Sequence, residues 1–169
     1  MASPSTGDRL KLLAAACGGA IFAATSPPSD FTLGVFLGLA LFAWSLLGAE
    51  TKRTAFLRGF FFGAAANLVA LRFVPSVIVR FTPLPYVAGV AALVLLALAQ
   101  ALPWALGGLV HRVTEKRGAP AWLAFAASVY VATFVPCVFP WTPAGGLATW
   151  PAMLQLADVI GERGVSFVV

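Results

Sequence analysis

Residues 86–110 read YVAGVAALVLLALAQALPWALGGLV, which is 25 consecutive positions without an Asp, Glu, Lys or Arg. A helix needs about 20 predominantly apolar residues to cross the roughly 30 Å hydrocarbon core of a bilayer. No water is available there to bond the backbone, and a helix pairs its own N–H and C=O groups. The stretch Tyr86–Val110 therefore predicts a membrane-spanning helix, and it decides the fold class.

The composition of the whole chain agrees with that prediction. Of 169 residues, 60% are hydrophobic and 10% are charged, whereas soluble domains average about 25% charged residues. Long apolar runs, without alternation of apolar and polar residues, exclude a membrane β-barrel. The net charge is +5, and the basic residues fall between the apolar runs. The sequence has no basic stripe interleaved with aromatic residues, so it does not predict a nucleic-acid partner.

The same criterion along the chain predicts an all-α, polytopic transmembrane helix bundle with about five full spans and the start of a sixth. The predicted spans are Leu10–Thr25, Phe31–Ala49, Ala55–Val74, Tyr86–Val110 and Ala119–Val138. Between and after them we expect loops at Pro75–Pro85 and His111–Gly118, an irregular segment at Phe139–Pro151 and a short helix at Ala152–Ile160. The run Gly164–Val169 would open the sixth span, so we expect residues 1–169 to be a truncated N-terminal transmembrane domain. The first run also has the look of a signal peptide, although a multi-span protein needs no cleaved leader.

The distribution of Lys and Arg predicts the orientation, because cytoplasmic loops of membrane proteins are enriched in them. If five spans alternate, eight basic residues lie on one side and three on the other. The first group is Arg9, Lys11, Lys52, Arg53, Arg58, Arg112, Lys116 and Arg117; the second is Arg72, Arg80 and Arg163. We therefore expect a cytoplasmic N-terminus, with the segment Phe139–Pro151 on the outer face.

Several residues are candidates for packing or for a polar site. Glycine pairs four residues apart, Gly34 with Gly38 and Gly59 with Gly63, either form close helix contacts or reflect glycine abundance. Gln100 with Pro103 predicts a satisfied polar group beside a kink. Arg72 either extends to the headgroups or contacts substrate.

Other polar residues have less specific interpretations. We expect His111 to be a solvated loop residue, and Asp158 with Glu162 to form either a polar face or a carboxylate pair. Cys17 and Cys137 are expected to be buried, inert thiols. No catalytic triad, phosphate-binding loop or metal-ligand spacing is evident, so we predict no catalytic residue, metal or cofactor in this chain.

The last third carries a recognisable order of motifs. Phe139-Pro140-Trp141 is followed by Leu154-Gln155-Leu156-Ala157-Asp158 and by Gly161 and Gly164-Val165-Ser166-Phe167. With the turn Ser26–Phe31 and the glycine-rich stretch Arg58–Gly63, this order resembles the apolipoprotein N-acyltransferase family. The chain departs from the family's pattern after Trp141, at Thr142–Gly146, and at Arg72–Pro75.

The resemblance implies a bacterial inner-membrane, multi-pass enzyme of lipoprotein maturation. Such enzymes transfer a fatty acyl chain from a phospholipid to the N-terminal diacylglyceryl-cysteine of an apolipoprotein. The family's Glu–Lys–Cys triad lies in a nitrilase-like domain after the seventh span, so we expect this chain to be inactive alone and Cys137 not to be a nucleophile. The implied partners are a phospholipid donor, an apolipoprotein acceptor and membrane lipid.

The resemblance also suggests which residues contact substrate. Trp141 is the main candidate, with Phe139 and Pro140 shaping the turn and Arg72 as a further candidate; Trp141 could equally be an interfacial anchor. Two other classes stay open from the residues alone. Arg72, Asn67 and Gln100 could line the polar path of a small transporter or channel component, or the chain could be a non-catalytic membrane scaffold.

Overall fold

A computed structural model describes residues 6–27 and 29–169, and every regular element in that part of the chain is helical. Pro28, in the predicted turn after the first run, and residues 1–5 of the polar lead-in lie outside the described part. The helices are α1 (Thr6–Ala23), α2 (Gly34–Leu46), α3 (Lys52–Ala70), α4 (Val74–Phe81), α5 (Tyr86–Gln100), α6 (Leu102–Lys116), α7 (Ala121–Ala132), α8 (Pro143–Gly146) and α9 (Pro151–Val168).

Among the described residues, one continuous helix is both long enough and apolar enough to cross a membrane. This helix is Tyr86–Lys116, formed by α5 and α6 in 31 residues. A second candidate arises if α3 and α4, which meet at an angle of 49°, form one broken span. The apolar helices α2 and α7 have 13 and 12 residues, and at 1.5 Å per residue they are only about 20 and 18 Å long. The all-helical prediction is confirmed, whereas five full spans are not established by helix length.

The glycine pairs form the close helix contacts that their spacing suggested. A Cβ on Gly38 would lie 2.7 Å from the carbonyl oxygen of Gly18, where α2 crosses α1. Where α3 meets α6, a Cβ on Gly59 would collide with the carbonyl of Trp104, and one on Gly63 would lie 2.9 Å from Cα of Ala101. Small residues therefore let α3 approach α6 at backbone distance, as in other tightly packed helix pairs.

An aromatic cluster joins the four helices at the centre. Phe42 stacks on Phe62 with ring centroids 4.4 Å apart, and Phe62 lies 4.7 Å from the ring of Trp104. Phe22 of α1 completes the cluster at 5.8 Å from Phe62. Offset and edge-to-face contacts of this kind contribute about 0.5–1.5 kcal/mol each beyond the burial of area, so they stabilise the crossing of α1, α2, α3 and α6.

The buried side chain of Arg58 links α3 to the start of α1 and to the end of α2. The side chain of Arg58 is 3% exposed, and its Nη2 donates to Oδ1 of Asp8 at 2.8 Å. Its Nη1 donates to the carbonyl of Ser45 at 2.6 Å, at the end of α2. The carbonyls of a helix C-terminus carry partial negative charge, so Arg58 neutralises both an acid of α1 and the end of α2.

Two predicted loops are helical instead. The expected loop His111–Gly118 was wrong, because α6 continues through the membrane-length helix to Lys116 and turns only at Gly118, where φ is +90°. His111 is consequently buried rather than solvated. The expected loop Pro75–Pro85 is helix α4 as far as Phe81, because Pro75 stands in its first turn, where the missing N–H costs nothing.

The region after α7 also differs in its bounds. Helix α7 ends at Ala132, short of the predicted Val138, and residues 133–142 are non-helical. The expected irregular segment contains the one-turn helix α8, whose first turn is capped by the hydroxyl of Thr142 accepting from the N–H of Gly145 at 3.1 Å. The short helix predicted at 152–160 is part of α9, which bends at Gly161, where φ is +73° and ψ is 162°.

Candidate functional site

A buried amide bridge connects α3, the centre of the long helix and the loop after α7. Gln100 Nε2 donates to Asn67 Oδ1 at 3.0 Å, and Asn67 Nδ2 donates to the carbonyls of Gly63 at 2.8 Å and Gln100 at 3.2 Å. The backbone N–H of Phe139 donates to Gln100 Oε1 at 2.6 Å. Buried polar groups are costly unless they are hydrogen-bonded, and here each amide is used at both its oxygen and its nitrogen.

Beside Gln100 the helix is interrupted at one residue, Ala101, between α5 and α6. Ala101 nevertheless keeps helical dihedrals, and α5 and α6 run on as one helix past Pro103. The satisfied polar group that was predicted there is confirmed. The partners of Gln100 could not be read from the sequence, since they lie 33 and 39 positions away.

Above this bridge lies a cavity of about 260 Å³. One wall is the end of α1 and the turn that follows it, and the other is the segment after α7. The lining residues are Phe22, Ala23, Thr25, Ser26, Pro27, Ala66, Asn67, Ala70, Trp104, Pro140, Trp141, Thr142, Gly145 and Gly146. A smaller cavity of about 30 Å³ adjoins it and shares Asn67, Trp104, Pro140, Trp141 and Thr142. The lining combines apolar and aromatic surface with a few hydroxyl and amide groups, as ligand-binding clefts commonly do.

Three of the four candidate substrate residues belong to this region. Pro140 and Trp141 line both cavities, and Phe139 lines the smaller one. The rings of Phe139 and Trp141 are stacked with centroids 6.4 Å apart. Trp141 is 36% exposed, so it borders the cavity and the exterior at once.

Arg72, the fourth candidate, lines neither cavity. It is exposed in the turn between α3 and α4, and its Nη1 donates to the carbonyl of Val69 at 3.2 Å. The neighbouring residue Phe73 contacts Phe139 edge-to-face at 6.1 Å, so Arg72 is at the same end of the bundle as the loop. The structure brings Asn67 and Gln100 together but does not place Arg72 with them in a polar path.

The bend in α9 brings its second half against the cavity's outer wall. Glu162 accepts a hydrogen bond from the hydroxyl of Thr142, and Ser166 Oγ accepts one from the N–H of Ala144 at 3.2 Å. The non-helical Gly161 separates Asp158 from Glu162. The two carboxylates therefore do not share one helical face, and Glu162 serves to hold the loop.

The remaining candidate groups lie outside this cavity or carry no activating partner. Cys137 is half-buried and lines the smaller cavity, and Cys17 is exposed, contrary to the expectation that both thiols are buried. His111 lines a separate, mostly apolar cavity of about 600 Å³ at the other end of α6, and neither ring nitrogen has a hydrogen-bond partner. Within residues 6–27 and 29–169, no three His, Cys, Asp or Glu side chains are grouped as metal ligands.

The fold and the cavity define a class: an all-helical domain with at least one helix long and apolar enough to cross a membrane. The chain belongs to the apolipoprotein N-acyltransferase N-terminal domain family, whose model matches residues 18–169. That family is one of bacterial membrane enzymes with acyltransferase activity in lipoprotein maturation, and the matched range includes the whole cavity lining. No curated protein matches the chain.

Proposed function

We propose that this chain is the membrane region of an enzyme that transfers a fatty acyl chain from a phospholipid to the N-terminal diacylglyceryl-cysteine of apolipoproteins. The observation that carries the proposal is the family match, together with a cavity bordered by apolar and aromatic surface next to the Phe-Pro-Trp motif. Both substrates are lipids. Keeping their chains within apolar surroundings avoids exposing them to water at about 0.8 kcal/mol per CH₂ group.

In this proposal the helices form a multi-pass domain of the bacterial inner membrane. Five helical passages and the start of a sixth alternate across the bilayer, with the N-terminus in the cytoplasm and the segment Phe139–Pro151 on the outer face. The basic residues at the ends of α3 and α6 support this orientation. The short helices α2 and α7 would complete their passages with the non-helical residues that flank them.

In this proposal the catalytic residues lie in another domain of the enzyme, and residues 1–169 bind the substrates. The family description names an N-terminal domain, which is consistent with a separate nitrilase-like domain that supplies the Glu–Lys–Cys triad. We expect residues 1–169 alone to be inactive and to need no cofactor. Their role is to bind the phospholipid donor and the apolipoprotein acceptor within membrane lipid, without a nucleic-acid partner.

Four residues are proposed to contact lipid substrate. Trp141 presents an aromatic face where the cavity opens, Phe139 stacks behind it, and Pro140 shapes the loop. Arg72 is exposed at the same end and carries the positive charge that a phosphate headgroup requires.

The test uses the full-length enzyme in proteoliposomes with a phospholipid donor and a diacylglyceryl-modified lipoprotein. We expect Trp141→Ala to lower kcat/KM for the donor by roughly tenfold, or about 1.4 kcal/mol. The matched control is Trp122→Ala, because Trp122 is 70% exposed and lies outside the cavity under the loop. The proposal fails if the unaltered enzyme transfers no acyl chain, or if the two tryptophan variants behave alike.

The orientation has its own test. Thr149→Cys and Arg117→Cys are introduced one at a time in a variant without Cys17 and Cys137, and intact spheroplasts are treated with a membrane-impermeant maleimide. Labelling is read on the peptide that carries position 149 or 117, because the proposed catalytic domain has a cysteine of its own. We expect only the cysteine at 149 to react before permeabilisation. Labelling at position 117 from outside would invert the proposed topology, whatever the enzymatic result.

A further inference from the structure

The loop that carries Phe139, Pro140 and Trp141 is attached to the bundle at both ends. Phe139 contacts Gln100 and Phe73, and Thr142, directly after Trp141, is bonded to Glu162. Its internal bond joins the N–H of Trp141 to the carbonyl of Phe139 at 3.0 Å. Among the described residues, the one hydrogen bond from these three positions to another helix is that of the Phe139 N–H to Gln100. Gln100 is therefore the hydrogen-bond anchor of these three positions, while Glu162 anchors the adjoining residue Thr142.

The orientation of the Gln100 side-chain amide is fixed by a second hydrogen bond. Its amide nitrogen is bonded to Asn67, which fixes the plane of the amide and points Oε1 toward the loop. Gln100 is 5% exposed and Asn67 is 2% exposed. Both amides are therefore largely shielded from bulk water, which makes the loss of a partner expensive.

The same residues form the walls of the cavity. Asn67 lines it from α3, while Pro140 and Trp141 line it from the loop. The amide pair spans the gap between these two walls. Because apolar cavities discriminate by volume, and one methylene group is worth about 10- to 200-fold in specificity, a shift of the loop would change which acyl chains fit.

We infer that Gln100 is a positioning residue, which holds the Phe139–Trp141 loop against α3 through Asn67 and so sets the acyl-chain length that the cavity accepts. The inference rests on the proposed function for its substrate. Gln100 does not contact the reacting atoms. Its effect on the enzyme would appear as a change in selectivity among donors rather than as a loss of chemistry.

Two substitutions separate this role from general packing. Gln100→Leu removes both side-chain hydrogen bonds at nearly the same volume. Gln100→Glu keeps an acceptor for the Phe139 N–H and loses the donor to Asn67. The matched control is Gln155→Leu, because Gln155 is exposed on α9 and lines neither cavity at the loop.

The first measurement is the ratio of kcat/KM for donors with short and long saturated acyl chains, determined for the full-length enzyme. We expect Gln100→Leu to change this ratio by roughly tenfold, Gln100→Glu to retain part of the selectivity, and Gln155→Leu to leave it unchanged. An equal loss of activity on all donors, with an unchanged ratio, would show that Gln100 only supports the fold and would overturn the inference.

The second measurement does not require activity. In a background with Cys17→Ser, the rate at which a small alkylating reagent modifies Cys137 is followed by mass spectrometry of the peptide that contains it. This rate reports on the loop, because Cys137 lines the smaller cavity beside Phe139. We expect Gln100→Leu to raise this rate by about tenfold while Gln155→Leu has no effect. An unchanged rate refutes the positioning role even if the unaltered enzyme transfers no acyl chain, the outcome that defeats the proposed function instead.

Discussion

The ion pair between Arg58 and Asp8 leads to a prediction about which of the two residues contributes more to stability. Arg58 donates both to Asp8 and to the end of α2. Replacing Asp8 with Asn nevertheless leaves a guanidinium buried without its counter-charge, whereas replacing Arg58 with Met removes the charge and fills the space with apolar atoms. We therefore expect the smaller chemical change to be the more destabilising one.

The magnitude follows from the exposure of the two side chains. Removing one partner of a fully buried pair costs about 3–5 kcal/mol. The side chain of Asp8 is 46% exposed, so water can partly replace it, and we expect Asp8→Asn to lower the free energy of unfolding by about 2 kcal/mol. Arg58→Met loses charge-assisted hydrogen bonds worth about 1.5–3 kcal/mol each but regains desolvation and packing, and we expect a net loss of about 1 kcal/mol.

The assay is SDS titration in mixed micelles, with unfolding followed by tryptophan fluorescence. Arg53→Met is the control, because Arg53 is exposed on the same helix and should change the free energy of unfolding by no more than about 0.5 kcal/mol. The double variant should resemble Arg58→Met alone, since no charge is then left buried. If Arg58→Met is clearly worse than Asp8→Asn, the guanidinium contributes mainly through its bonds to the α2 carbonyls, and the reasoning from desolvation is wrong.

Three further predictions follow from backbone contacts and from a half-buried thiol. Gly59→Leu should lower the free energy of unfolding by about 1–3 kcal/mol, because its side chain would collide with the backbone of Trp104; Leu68→Ala, at an exposed site of the same helix, is the comparison in SDS titration. Gly161→Ala should destabilise by about 1–3 kcal/mol, because φ of +73° with ψ of 162° is accessible almost only to glycine, and loss of a disulfide engineered between positions 144 and 166 would show that α9 has straightened. Cys137 should be alkylated more slowly at neutral pH than N-acetylcysteine, because it is half-buried beside the smaller cavity.

Each of these predictions can fail independently. Equal stability of the Gly59 and Leu68 variants would mean that α3 and α6 are farther apart than described. A crosslink that still forms in the Gly161 variant, with normal stability, would show that the bend does not depend on glycine. Alkylation of Cys137 at the rate of the free thiol would place it in water.

Much of the architecture could be predicted because it depends on local patterns. The apolar run at Tyr86–Val110 and the four-residue glycine spacing each determine a helix or a contact from nearby residues alone. The Phe139–Pro151 segment was expected to be irregular because Pro, Gly and Trp are frequent in it, and apart from the turn of α8 and the first residue of α9 it is.

The departures have a common cause in tertiary contacts. His111 begins a stretch of basic residues that looks like a solvated loop, yet α6 stays helical there, because Gly108 lets it pack against the backbone of Ala55. Arg58 looks like one more basic residue for membrane orientation, and only the fold brings Asp8 to it across 50 positions. In the candidate site, the amide pairing of Gln100 could not be predicted, because its hydrogen-bond partners are distant in sequence.

The unequal lengths of the helices have a consequence for the surrounding lipid. The helix Tyr86–Lys116 has 31 residues and is about 46 Å long, whereas α7, which packs beside it, reaches only about 18 Å. In the proposed multi-pass arrangement, α2 and α7 would cross the bilayer only together with the non-helical residues beside them, and any remaining mismatch would be met by thinning of the leaflets around these two helices. The membrane would then be deformed most where α2 and α7 face lipid.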